Sequence, residues 1–408
     1  MHDARRPDRY SAAMSAISTV PGPGMPQAWR SSFDLPPDTL YLDTAAHAPL
    51  LRGVREAGSA ALARSNAPWM PDSETWEACV DRVRALAAAW FDGDAHGVAF
   101  IPSVAYGIAT AAHNLPLQAG ESVLVLDGQF PSNLLAWQQR CAQSGATIVV
   151  ARREPAQDWT GAVLAALERH PGIRIAALPQ VHWRDGAQLD LDAIAPRVRA
   201  GGAALVLDLS QSLGALPTDF ARWQPDFVAS VGYKWLFGVA GLGMLWAAPH
   251  WRKHGRPIEQ HWSAREDDEV WRFDPSNLPA YRRGARRFDA GGILEPQRVA
   301  MFEAALMQLK AWGADTVLAH LRAMTTAMDR ALDASGLADW NTPGHAPHFT
   351  GLRPPPARFD AVVAALRAAN IICTARYGVL RVAPHLHVGE EDMRHCVATM
   401  ASALDRTH

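Results

Sequence analysis

The sequence predicts an α/β protein built on a mostly parallel central sheet, and three observations predict it. Strand-like apolar runs alternate with helical stretches from Val98 to Leu245, which is the pattern of an open α/β sheet. Two runs, Ala203–Leu207 and Phe227–Val231, are apolar throughout, as strands covered on both faces are. The chain's 408 residues allow more than one domain with ample core.

Composition narrows the function classes. A net charge of -2 on 20% charged residues gives no electrostatic case for nucleic acid or an acidic membrane surface. No apolar run approaches the roughly 18 residues that a membrane span needs. Residues 1–30 lack an apolar signal core and read as an N-terminal arm. Cys79, Cys141, Cys373 and Cys396 are scattered, which speaks against a disulfide framework or a zinc site and fits a reducing cytoplasm. No metal site is expected.

The elements follow in order. Leu40–Leu42 is a short strand that runs into a loop of small residues carrying His47, either a surface histidine or a substrate contact. Glu74–Trp90 has helical periodicity. Val98–Ala112 reads strand, turn, helix, with Ser103 as N-cap; a helix N-terminus is a ready phosphate cradle. Strand Ser122–Leu126 empties into a loop with Phe130, placed to stack on a planar ligand or to plug a gap. Strands Thr147–Ala151 and Ile173–Leu178 flank a helix around Ala162–Glu168, and the second empties into a loop with His182 and Trp183. Residues 31–290 form the expected large domain. Its last part, Trp251–Arg287, is irregular. Residues 291–408 form a smaller α+β domain, with helices Pro296–Ala311, Ala314–Ser335 and Ala357–Ala369, strands Phe349–Leu352, Ile371–Thr374 and Val379–Val382, and a last helix from Glu390.

One stretch carries the chemistry. The run Ala203–Leu207 ends on Asp208, and the run Phe227–Val231 ends on Gly232, Tyr233 and Lys234. In open α/β sheets the carboxyl ends of the strands line the ligand crevice. Lys234 is either a surface lysine or a site amine, and Asp208 either caps a following helix or faces the site. Trp235, Phe237 and the run Gly238–Gly243 make a poor solvated face, and desolvation lowers a lysine pKa as imine chemistry requires. An amine and a carboxylate so placed are what pyridoxal 5'-phosphate needs, one for the Schiff base and one for the ring nitrogen.

Together these stretches resemble the class V branch of the fold type I pyridoxal phosphate enzymes, over roughly residues 38 to 395. The branch includes class V aminotransferases, cysteine desulfurases, kynureninase and isopenicillin N epimerase-like proteins. The resemblance implies a seven-stranded-type sheet and roles for single residues. Ser103, Val104 and Ala105 fall at the phosphate, with Tyr233 beside it and Lys234 as the Schiff-base lysine. Phe130 falls at the ring-stacking position, in a QFPSN segment that includes Asn133 and is similar to kynureninase. Asp208 matches the ring-nitrogen partner and Gln211 the group facing the cofactor oxygen. Trp262, in HWSAR, and Gly291-Gly292, in RRFDAGG, resemble segments that reach the phosphate of a neighbouring subunit, which implies a homodimer with shared sites. Arg381, in VLRVAP, matches the arginine that grips the substrate carboxylate.

The departures bear on reaction type. The segment Thr374–Arg381 is too short for the mobile loop of class V desulfurases and lacks its cysteine. Cys373 lies in an apolar strand and reads as core. Gln211 stands where kynureninase has a histidine. The expected chemistry is therefore aminotransferase-type, at the α-amino group of an amino acid, with a Cβ-cleaving lyase or hydrolase, or an epimerase, as alternatives. A cofactor-binding protein without turnover is a further, weaker alternative. His47, His182, Trp183 and Arg376 are the candidates for the substrate pocket.

Overall fold

The computed structural model describes residues 29–70, 75–154 and 157–405. The expected arm, residues 1–30, lies outside them apart from Trp29 and Arg30. After a short strand β1 (Leu40–Tyr41), seven strands make the main sheet: β2 (Val98–Ile101), β3 (Ser122–Leu126), β4 (Thr147–Ala151), β5 (Ile173–Pro179), β6 (Ala204–Asp208), β7 (Phe227–Val231) and β8 (Gly243–Ala247). Their order is β2-β8-β7-β6-β5-β3-β4. All neighbours pair in parallel except β8, which is antiparallel to both β2 and β7.

Side chains on a strand alternate between faces, and here both faces are buried. Val206, Phe227, Ala229 and Leu245 enter one core with Ile108 and Trp137, from helices Val104–Asn114 and Leu135–Ser144. Leu205, Leu207, Val228 and Met244 enter the other with Val163, Ile194 and Phe302, from helices Trp159–Arg169, Leu191–Ala200 and Pro296–Trp312. Burying each Leu or Phe contributes about 1.5–3 kcal/mol. Two-sided burial is why the runs read as continuously apolar.

The order also places the site. The chain passes from β3 outward to β4 and then returns to β5 on the other side of β3, a topological switch of the kind that opens a crevice beyond the carboxyl ends. The crossover from β6 to β7 differs from the simple strand-helix-strand pattern. No helix follows Asp208 directly; a turn does, and the crossover holds only the four-residue helix Phe220–Trp223.

The C-terminal part packs β9 (Thr350–Leu352), β10 (Ile371–Ile372), β11 (Thr374–Arg376) and β12 (Val379–Val382) against helices Ala314–Ala334, Phe359–Ala368 and Glu390–Asp405. The run Ile371–Thr374 splits: Ile371 and Ile372 pair with β1, while Thr374 opens a hairpin with β12. Tyr377 and Gly378 turn that hairpin, both with positive φ (53° and 72°), as a two-residue type I′ turn requires. Contacts cross residue 290 both ways. Helix Pro296–Trp312 packs on the main sheet, and Leu40 and Leu42 join the C-terminal core.

Candidate active site

The loops beyond the carboxyl ends of β2, β3, β5, β6 and β7 converge on one cavity. Its lining includes Ser103, Val104, Gln129, Phe130, Val181, Trp183, Asp208, Gln211, Tyr233 and Lys234. Eight of the sequence-predicted site residues therefore meet there, drawn from five separate loops.

Lys234 reaches it because the chain after β7 is tightly folded. Gly232 donates its N–H to the Leu242 carbonyl (3.2 Å), and a Cβ at Gly232 would lie 2.5 Å from that oxygen. Only glycine permits so close an approach. The Lys234 amine sits 5.7 Å from the centre of the Phe130 ring. Burial lowers its pKa to about 8; the Asp208 charge opposes the shift, and that of Arg381 adds to it. A lysine in that range is a nucleophile near neutral pH.

Asp208, at the end of β6, is buried and accepts a hydrogen bond from the Ser210 N–H (3.0 Å). Burial raises its carboxyl pKa despite Ser210 and Lys234. Gln211 lines the cavity too, but its amide is anchored. Its Nε2 donates to the Ala45 carbonyl (2.9 Å) and its Oε1 accepts from the Trp235 indole (3.2 Å). One N–H of the amide is left for a ligand. His348 Nε2, 2.6 Å from the Gln211 carbonyl, braces the backbone.

Ser103 caps helix Val104–Asn114 through the Tyr106 N–H (3.2 Å), so its hydroxyl oxygen is already an acceptor. The first-turn N–H groups beside it are the phosphate donors a helix start offers. Ala105 lies in that first turn without lining the cavity. Tyr233 stacks on His47, with ring centres 5.0 Å apart, so His47 backs the wall rather than lining it.

Two candidates turn away. Asn133 is fully buried, and its Oδ1 accepts from the Trp137 indole (3.3 Å). It belongs to the packing of helix Leu135–Ser144. His182 is buried against Trp159, with Nδ1 3.0 Å from Asp185 Oδ1, and does not line the cavity. Burial would raise the Asp185 carboxyl, but His182, the Ala187 N–H and Arg353 hold it well below the usual range. His182 serves that buried network.

On the substrate side, Arg381 of β12 is buried. Its Nη2 lies 3.1 Å from Asp43 Oδ1 and its Nη1 donates to the Trp183 carbonyl (3.0 Å), while its Nε has no partner among the described residues. Thr374 bridges to Asp43 as well. Asp43 was not among the predicted residues, although it lies two residues beyond the short strand β1, much as Asp208 ends β6. Arg376 is exposed at the hairpin turn. Trp262 and Gly292 meet each other in a different cavity, with His261, Arg282 and Arg286, and not in that of Lys234. No group of side chains among the described residues could hold a metal ion.

Residues 40–387 match the family model for class V aminotransferases. The chain belongs to that family. Its fold is that of the fold type I enzymes, and its cofactor is pyridoxal 5'-phosphate. Among relatives of the class V chain, an uncharacterised aminotransferase of Bacillus subtilis (strain 168), YcbU, is 28% identical over 314 residues, covering 75% of this chain and 78% of its own. The kynureninase of Deinococcus radiodurans is 29% identical over 277 residues, covering 64% of this chain and 63% of its own. Among solved structures, a cysteine desulfurase of Thermococcus onnurineus NA1 superposes with a TM-score of 0.79 at 17% identity, over 93% of this chain and 98% of that one. At that identity the likeness shows the fold.

The residues present fit the cofactor. A buried amine faces an aromatic ring, a buried carboxyl is hydrogen-bonded by Ser210, and a helix N-terminus borders the same cavity.

Proposed function

We propose that this class V chain acts on the α-amino group of an amino acid, in the manner of an aminotransferase, with Lys234 as the covalent anchor of the cofactor. The convergence of Lys234, Asp208 and Phe130 in one cavity carries the reading. When bound, the cofactor supplies an electron sink for charge developing at the substrate Cα. Lys234 Nζ, held near a pKa of 8, is poised both to attack and to move a proton at Cα. The Asp208 carboxylate is the partner for the ring nitrogen, and Phe130 covers the ring. Ser103, Val104 and Ala105 hold the phosphate from the helix start, with Tyr233 beside them.

The thiols support transfer over persulfide chemistry. Burial pushes the Cys373 thiol up to about 12 and raises those of Cys141 and Cys396, and a thiol so shifted is a poor nucleophile. The two-residue turn at Tyr377-Gly378 leaves no loop to carry another. We also infer a homodimer in which Trp262 and Gly292 reach the partner's phosphate. A cytoplasmic location is supported by four cysteines none of which is held in a disulfide.

The test is a panel of amino acids added to the holoenzyme, with the visible band and the products followed. Transamination requires a 2-oxo acid acceptor. Release of pyruvate or alanine without one would instead establish a Cβ-cleaving lyase or hydrolase.

A further inference from the structure

Trp183, a wall of the Lys234 cavity, is followed by Arg184, which has no ion pair among the described residues. The Arg184 guanidinium carbon lies 5.6 Å from the centre of the Trp183 ring and 5.1 Å from that of Tyr377, at the hairpin tip. Trp183 is edge-on to both Phe130 (5.3 Å) and Tyr377 (6.4 Å), and its indole donates to the Gly128 carbonyl (2.8 Å). Gly128 has φ of 65°, and a Cβ there would lie 2.8 Å from Arg184 Nη2. The guanidinium is thus wedged between the loop that presents Phe130 and the turn of the β11–β12 hairpin.

Neighbouring arginines are matched. Arg153 and Arg353 converge on Asp185 (3.4 and 2.7 Å), and Arg381 on Asp43 (3.1 Å). Among the described residues, Arg184 has no carboxylate partner, and its buried Nε has no hydrogen bond. Arg376 adds a positive charge that is felt at Arg381. An arginine fork set against two aromatic rings, with donors to spare, suits a carboxylate that arrives with the ligand.

We infer that Arg184 binds a carboxylate on the substrate side chain, so that the preferred substrate is a dicarboxylic amino acid. This rests on the reading of the cavity as an amino-acid site. Trp183 and Tyr377 are positioning residues that pack against the fork, and Arg381 is left for the α-carboxylate.

The experiment titrates the holoenzyme with L-glutamate against L-glutamine, and L-aspartate against L-asparagine, following the visible band. A charge-assisted hydrogen bond of about 1.5–3 kcal/mol corresponds to a preference for the acid of roughly tenfold or more. In Arg184→Met the acid-to-amide ratio falls to about one, and in Arg184→Lys it is intermediate. An unaltered visible band and thermal midpoint establish that the variants are folded. Equal binding of acids and amides by the natural protein overturns the inference, as does an Arg184→Met variant that keeps the preference. If no amino acid perturbs the band, the amino-acid reading itself falls, and this inference with it. Perturbation by neutral amino acids alone overturns only this one.

Discussion

Arg381 and Asp43, 338 residues apart in the chain, form an ion pair of 3.1 Å in which both side chains are largely buried. The arginine expected to receive a substrate carboxylate therefore already holds a carboxylate of its own. Thr374 donates to the same Asp43 oxygens, so the pair joins β1 to the hairpin of β11 and β12.

Breaking a buried pair costs more than the pair is worth, because one charge is left without a partner. Asp43→Ala is expected to lower unfolding stability by about 3 kcal/mol in urea titration and to raise KM for the substrate. The double variant Asp43→Asn, Arg381→Met should lose less than the sum of its parts, since its members share one interaction.

Lys234 sets a pH dependence. Its folded pKa, about 8, lies below that of an unfolded lysine, so between the two the unfolded chain binds more protons. The cofactor-free protein should accordingly gain stability as pH rises from about 8 to about 10, by on the order of 1–3 kcal/mol. Subtracting the curve of Lys234→Met isolates this residue, and a flat difference would contradict the burial of the amine.

Asp208→Ala should cut turnover by more than about a hundredfold, as lost stabilisation of developing charge does, while the variant still takes up cofactor. Absorbance reports uptake and single-turnover kinetics report the chemistry. A variant with near-normal turnover would remove Asp208 from its proposed role.

Trp235→Phe deletes the donor to Gln211 Oε1 and leaves a buried acceptor unpaired. The expected cost is about 1–3 kcal/mol of stability, together with a shifted visible band as the Gln211 amide loses its fixed orientation. A shift without loss of secondary structure separates this effect from misfolding.

Much of this could be read from the residues before any coordinates. Strands β3, β4, β7 and β12 fall where apolar runs begin and end, and Lys234 and Asp208 meet because both follow parallel strands whose carboxyl ends share one side. The facing of loop side chains was not legible. Asn133 and His182 belong to the right loops, yet Trp137 and Asp185 claim them, and such contacts are settled by packing across distant elements. Asp43 and Arg184 escaped for the same reason, since a charge alone does not reveal whether a partner lies 338 residues away or is missing.

The chain contains only three lysines, Lys234, Lys253 and Lys310, and this makes the central claim directly testable. Borohydride reduction of the holoenzyme followed by peptide mass mapping should place the reduced pyridoxyl phosphate group on Lys234 alone, and Lys234→Ala should carry none. A label on Lys253 or Lys310, or a labelled Lys234→Ala protein, would contradict the account.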